Sequence, residues 1–235
     1  MNVKNHYKFN ENKSEKRINK ILNSNNYYQH IEMIPDNNKL TFDNGYYVDV
    51  CAIFVDMVGS SKMTINHKRP TIAKIYRCFI SETVALFQSY SNCKDVNING
   101  DCVWAIFDID NKFDELIEIA IRVTNLVDKI NLVLKKKGYT QIKVGIGIDY
   151  GKALLVKAGY KGGLNDTIWM GDVVNHACHL CNNANRNNRS DILISKRICD
   201  KINKYLFLFK KVNNNCYEID SRKFYKQNKQ DKSAY

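Results

Sequence analysis

Proline is nearly absent from this chain of 235 residues, occurring twice, while Lys, Asn and Ile abound. That pattern is the compositional bias of an AT-rich coding sequence, and it colours the reading of the formal net charge of +12. The basic residues are spread along the chain and into its ends, so no concentrated basic face points to nucleic acid as a partner. Long apolar runs are missing as well. The longest, Cys51–Val55 and Tyr205–Phe209, are strand-sized, well short of the ~18 residues of a membrane span. The Asn- and Lys-rich N-terminus holds no apolar signal-peptide core. A cytoplasmic location without membrane contact is therefore expected. The eight cysteines lack the two separated ligand pairs of a zinc site. Their densest cluster, His176-Ala177-Cys178-His179-Leu180-Cys181, has no second pair to complete it. They read as reduced, buried small hydrophobes.

Hydrophobic residues make up 44% of the chain and aromatics 11%, enough for one globular domain with a sizeable core. Residues 1–45 read as a polar extension with a helical pattern at Ile18, Ile21 and Leu22. Residues 46–220 read as the folded domain, and 221–235 as a polar tail expected to be disordered. Within the domain, Tyr47–Val55 has the pattern of a buried strand. Residues 69–90 carry apolar positions at helical spacing, with Pro70 in the first turn. Residues 94–108 form a hairpin whose Asn99-Gly100 pair suits a two-residue type I′ loop. A second amphipathic helix over 112–137 is stopped by Gly138. Ile142–Asp149 reads as a strand, Tyr150-Gly151 as a turn, Ala153–Val156 as a further strand and 159–168 as a loop. A helix follows at 172–184, a short strand at 191–195 and a helix at 196–204. The last hairpin pairs 206–211 with 216–219. This order gives an α+β fold with a ferredoxin-like core, two helices covering one face of a mainly antiparallel sheet.

Chemistry concentrates at two aspartates. Asp56 ends the first strand and opens a small-residue turn, in Phe54-Val55-Asp56-Met57-Val58-Gly59-Ser60-Ser61. Asp101 follows the hairpin glycine, in Asn97-Ile98-Asn99-Gly100-Asp101. In a ferredoxin-like topology the first strand and the hairpin lie side by side, so both carboxylates converge at one end of the sheet. Such a pair can hold divalent metal against a triphosphate, the equipment of phosphoryl transfer. Each motif alone has a plain alternative, a helix cap or a turn.

Together with Gly171-Asp172-Val173-Val174-Asn175-His176-Ala177, these motifs resemble the class III nucleotidyl cyclases, the adenylate and guanylate cyclase catalytic domain. The resemblance covers roughly residues 47–220. It implies attack of a ribose 3′-hydroxyl on the α-phosphate with loss of pyrophosphate. It assigns Asp56, Asp101 and the Met57 carbonyl to two Mg2+ or Mn2+ ions. Phe54 and the turn Val58, Gly59, Ser60 and Ser61 would face the substrate, and Asn175 would orient the ribose from the opposite protomer of a homodimer with two equal sites.

Three departures from the family pattern bear on substrate. Asn97 stands where adenylate cyclases carry Lys and guanylate cyclases Glu. The second base-contacting position falls at or near Ile168, beside Trp169. The family's transition-state Arg is replaced by His179, so charge must come from His179, from another cation such as Arg186, Lys210 or Lys211, or from metal alone. Without either purine code, the chain resembles the stand-alone pyrimidine cyclases of bacterial Pycsar anti-phage systems. Those make cyclic UMP or cyclic CMP, which activates a separate effector protein. UTP is the expected substrate and CTP the runner-up. A divergent adenylate cyclase and a catalytically silent nucleotide-binding module are the alternatives. A diguanylate cyclase is disfavoured, because no Gly-Gly-Asp/Glu-Glu-Phe segment occurs.

Overall fold

The computed structural model describes residues 8–108, 112–161 and 163–224. In chain order the elements are α1 (Glu11–Leu22), β1 (Tyr27–His30), β2 (Asn44–Met57), α2 (Met63–Asn66), α3 (Arg69–Gln88), β3 (Cys93–Asn99), β4 (Cys102–Phe107), α4 (Phe113–Lys136), β5 (Val144–Gly159), β6 (Asn165–Met170), α5 (Asp172–Asn183), β7 (Ile192–Ser195), α6 (Lys196–Cys199), β8 (Phe209–Asn213) and β9 (Cys216–Ile219). They fall into two compact units, Asp49–Lys152 with Asp172–Tyr235, and Met1–Val48 with Ala153–Gly171. Strands β2 and β5 contribute residues to both.

The larger unit is built on strands in the order β3-β4-β2-β5-β7-β9-β8. β4 runs antiparallel to both β3 and β2, β7 is parallel to β5, and β9 is antiparallel to β7 and β8. Side chains alternate along each strand. Ile53, Val55, Val103, Ala105, Ile146 and Ile148 all enter one core with Ile75 and Phe79 of α3 and Leu116, Ala120 and Val123 of α4. Full burial of a side chain such as Phe79 stabilises by about 1.5–3 kcal/mol. The intervening residues, Phe54, Asp56, Trp104, Gly145, Gly147 and Asp149, point to the opposite face. The two expected helices do cover one face, and α5 covers part of the other. A Cβ on Gly147 would sit 2.2 Å from the Ala177 carbonyl oxygen and the Cys181 nitrogen, so glycine is what lets α5 lie on the sheet. Leu180, Ala184, Leu193 and Cys216 seal that contact.

Several boundaries differ from expectation for local reasons. Asn99 pairs with Cys102, which makes Gly100-Asp101 the hairpin loop in place of Asn99-Gly100. Gly100 has φ 64 and Asp101 keeps a negative φ, which rules out type I′, since that turn needs positive φ at both loop positions. β5 is one continuous strand of 16 residues with no turn at Tyr150-Gly151. Asn165–Met170 is strand β6, so Ile168, expected at the end of a loop, lies on a strand with Trp169. The helix after β7 is a single turn, and Leu206–Leu208 is a 3-10 turn before β8. α4 ends as its sequence suggests. The Gly138 and Tyr139 N–H groups bond the Lys135 and Leu134 carbonyls, the Schellman pattern.

In the smaller unit, β1 runs parallel to the start of β2, from Tyr27 opposite Asn44 to His30 opposite Tyr47. β6 runs antiparallel to the end of β5. α1 forms where its apolar spacing predicts, capped by the Asn10 side chain accepting from Lys13. It buries no residue, and Ile18, Ile21 and Leu22 are exposed. Residues 1–7 of the extension and 225–235 of the expected tail lie outside the described residues. Ser221, at the start of that tail, is buried and bonds Asp191.

Candidate active site

Strand register turns the two aspartate motifs into a surface. Across β2, β4 and β3, Asp56 stands opposite Cys102, which stands opposite Asn99; one rung further in, Phe54 faces Trp104, which faces Asn97. Residues directly opposite on antiparallel strands share a face, so both rungs lie on the side away from α3 and α4. Asp101 sits in the loop that closes the first rung. The Phe54 and Trp104 rings stack with centroids 5.1 Å apart and planes within 3°. The Asn97 amide nitrogen beside them is buried with no hydrogen-bond partner among the described residues. An unmet buried donor costs about 1–3 kcal/mol, and a bound acceptor would recover it.

Electrostatics tie the first rung together. Burial pushes the Asp56 carboxyl above its ordinary range and the neighbouring charge of Asp101 adds to this. Hydrogen bonding and charge from Arg186, and the Met57 N–H, pull it back in part. Arg186 donates from Nη2 to Asp56 Oδ2 at 2.8 Å and from Nη1 to the Cys181 and Ala184 carbonyls at 3.0 and 3.2 Å. Burial, with Asp56 and Cys178 next, holds the Cys102 thiol up at about 12. No group of three or more His, Cys, Asp or Glu forms a metal cage among the described residues. The carboxylates of Asp56 and Asp101, close enough to feel each other's charge, are instead hard oxygen donors of the kind that divalent metal ions take.

Residues 43–228 match the family described as the adenylate and guanylate cyclase catalytic domain. The chain belongs to that family. A uridylate cyclase of Gulbenkiania mobilis is 39% identical over 213 residues, covering 86% of this chain and 82% of its own length. Another, of Treponema porcinum, is 35% identical over 199 residues, covering 83% and 70%. The solved structure of a bacterial light-regulated adenylyl cyclase overlays with a TM-score of 0.66 at 17% identity. That likeness of fold spans 75% of this chain and about half, 52%, of the other.

The remaining expected positions of the cyclase domain are distributed as follows. Gly59 adopts φ 72 with nothing within 4 Å of its missing Cβ, so backbone shape alone calls for glycine there. Ser60 and Ser61 open a 3-10 turn ending at Lys62. The Val58 N–H, expected to face phosphate, is committed to the Lys143 carbonyl at 2.8 Å. Asn175 and His179, four residues apart, share the exposed side of α5, whose other side buries Val173, Ala177, Leu180 and Cys181. The His179 carbonyl accepts from the Asn183 amide. Of the cations weighed as substitutes for the missing arginine, Arg186 meets Asp56, while Lys210 pairs with Glu218 at 2.9 Å. In the smaller unit, Trp169 is buried opposite Leu155 and Ile168 is exposed opposite Val156.

Sequence reading passed over Trp104, whose place on the rung follows from counting the register back from the Gly100-Asp101 loop. It also passed over Asp149. This carboxylate is fully buried and is satisfied by His176 Nδ1 at 2.9 Å, by the Tyr150 N–H at 2.7 Å and by the Arg197 guanidinium. Among the described residues, no helix is long and apolar enough to cross a membrane.

Proposed function

We propose that this cyclase converts UTP to 3′,5′-cyclic UMP and pyrophosphate, using Mg2+ or Mn2+, two ions per site, as a homodimer with shared sites. The observation that carries the choice of base is the Asn97 amide nitrogen, buried and without a hydrogen-bond partner among the described residues, on a rung with stacked Phe54 and Trp104. A uracil presents O4 as acceptor and N3–H as donor, and one amide side chain answers both without a second partner. A purine site instead needs groups matched to a larger edge, and neither Lys nor Glu stands at Asn97. The uridylate cyclases among the relatives support the same reading.

Within that reading Asp56, Asp101 and the Met57 carbonyl would hold the ions, whose bound charge lowers the pKa of the 3′-hydroxyl and neutralises the leaving phosphates. The turn from Gly59 to Ser61 offers first-turn N–H groups to the triphosphate. Asn175 orients the ribose of the site built on the partner's aspartates. CTP is the second reading, because the Asn97 amide turned over presents the pattern complementary to cytosine. The product acts as a cytoplasmic second messenger on a separate effector protein in anti-phage defence.

The test is product formation from UTP with Mn2+, read by mass spectrometry for cyclic UMP, in wild type, Asp56→Asn and Asp101→Asn. Each substitution is expected to lower turnover on the order of a thousandfold or more, the equivalent of ~4 kcal/mol of transition-state stabilisation. Near-normal cyclic UMP from either folded variant contradicts the two-metal assignment.

A further inference from the structure

Arg186 lies just beyond α5, outside every motif that marks the family, yet its guanidinium occupies one oxygen of Asp56. Three contacts define its position. Nη2 reaches Asp56 Oδ2 at 2.8 Å, and Nη1 is held by the carbonyls of Cys181 and Ala184. Gly145 makes room, since a Cβ there would come within 3.0 Å of Nη1 and 2.6 Å of the Cys181 oxygen. The side chains of Arg186 and Asp56 are 27% and 18% exposed, so the pair is screened but not freely solvated. Anchorage by two helix-end carbonyls distinguishes this arginine from a surface ion-pair partner free to swing away.

We propose that Arg186 bars free divalent ions from the Asp56–Asp101 site, so that metal loads together with the triphosphate. The proposal rests on the reading of these aspartates as the metal carboxylates. The guanidinium cancels one of their two negative charges and takes up Asp56 Oδ2, leaving Oδ1 for a metal ion. Two dications entering alone would meet a fixed cation and too little negative charge. A polyanionic triphosphate supplies the missing charge and further oxygen ligands, and is itself attracted by the guanidinium. Nucleotide and metal thus bind with positive coupling, and Arg186 is the residue that sets it.

The test is a Mn2+ titration followed by electron paramagnetic resonance, with and without 3′-deoxy-UTP, which lacks the attacking hydroxyl. In Arg186→Met, nucleotide-free Mn2+ affinity is expected to rise on the order of tenfold, and the enhancement by 3′-deoxy-UTP to shrink. Arg186→Gln removes the charge but keeps amide donors for the two carbonyls, so it guards against a folding defect and should show the same gain. Arg186→Lys keeps the charge and should stay near wild type. Unchanged or weaker nucleotide-free affinity in folded Arg186→Met and Arg186→Gln overturns the proposal. If Mn2+ binding is also indifferent to Asp56→Asn and Asp101→Asn, the metal reading itself fails and takes the proposal with it. If binding depends on both aspartates but not on Arg186, the proposal alone fails.

Discussion

Trp104 stands between Phe54 and Asn97 on one rung of the sheet, with its ring stacked on Phe54. If its indole fills the width a purine would use, shrinking it should relax the choice of base. Trp104→Leu is expected to raise turnover of ATP or GTP relative to UTP on the order of tenfold, the scale on which apolar pocket shape discriminates. An unchanged ratio of products in a folded variant would remove Trp104 from the base pocket. Both aspartates and Asn97 are visible in the linear sequence, because each sits at a fixed offset from a strand end or a hairpin glycine. Arg186 offers no such signal. It is 130 residues from Asp56, and only the docking of α5 on the glycines of β5 brings the two together.

Element by element, legibility follows how much of the structure is decided locally. Helices α3 and α4 can be read from the spacing of Ile75, Phe79, Leu116, Ala120 and Val123, because those residues meet a single core. The Tyr150-Gly151 pair looks like a turn, but the ladder carries β5 straight through it, and tertiary context overrides local turn preference. Asn99-Gly100 misleads by one residue, since pairing of Asn99 with Cys102 shifts the loop onto Asp101. The role of Gly147 is likewise hidden until α5 is in place. Gly147→Ala must open a 2.2 Å contact with helix backbone, which cannot rotate away as a side chain can. It should destabilise the protein by about 1–3 kcal/mol, measured as a lower midpoint in chemical denaturation. Wild-type stability in that variant would mean that α5 does not lie so close to the sheet.

For the whole molecule, a shared pair of sites and a pyrimidine substrate each make a distinct prediction. If Asn175 serves the site built on the partner's Asp56 and Asp101, two inactive variants should rescue each other. Mixing Asp56→Asn with Asn175→Ala yields heterodimers with one doubly damaged site and one intact site. Activity should recover to as much as about half per heterodimer. No recovery after demonstrated subunit exchange contradicts shared sites. The α+β class is legible from the order of strands and helices, and the cyclase family from three motifs in order. The division into two compact units is not, because it depends on how β2 and β5 are paired along their lengths. Substrate choice is tested most directly by offering equal concentrations of ATP, GTP, CTP and UTP to the purified protein with Mn2+ and identifying the cyclic products by mass spectrometry. Predominant cyclic UMP is the predicted result; predominant cyclic CMP would reject the choice of uracil, and predominant cyclic AMP or cyclic GMP would contradict the pyrimidine reading outright.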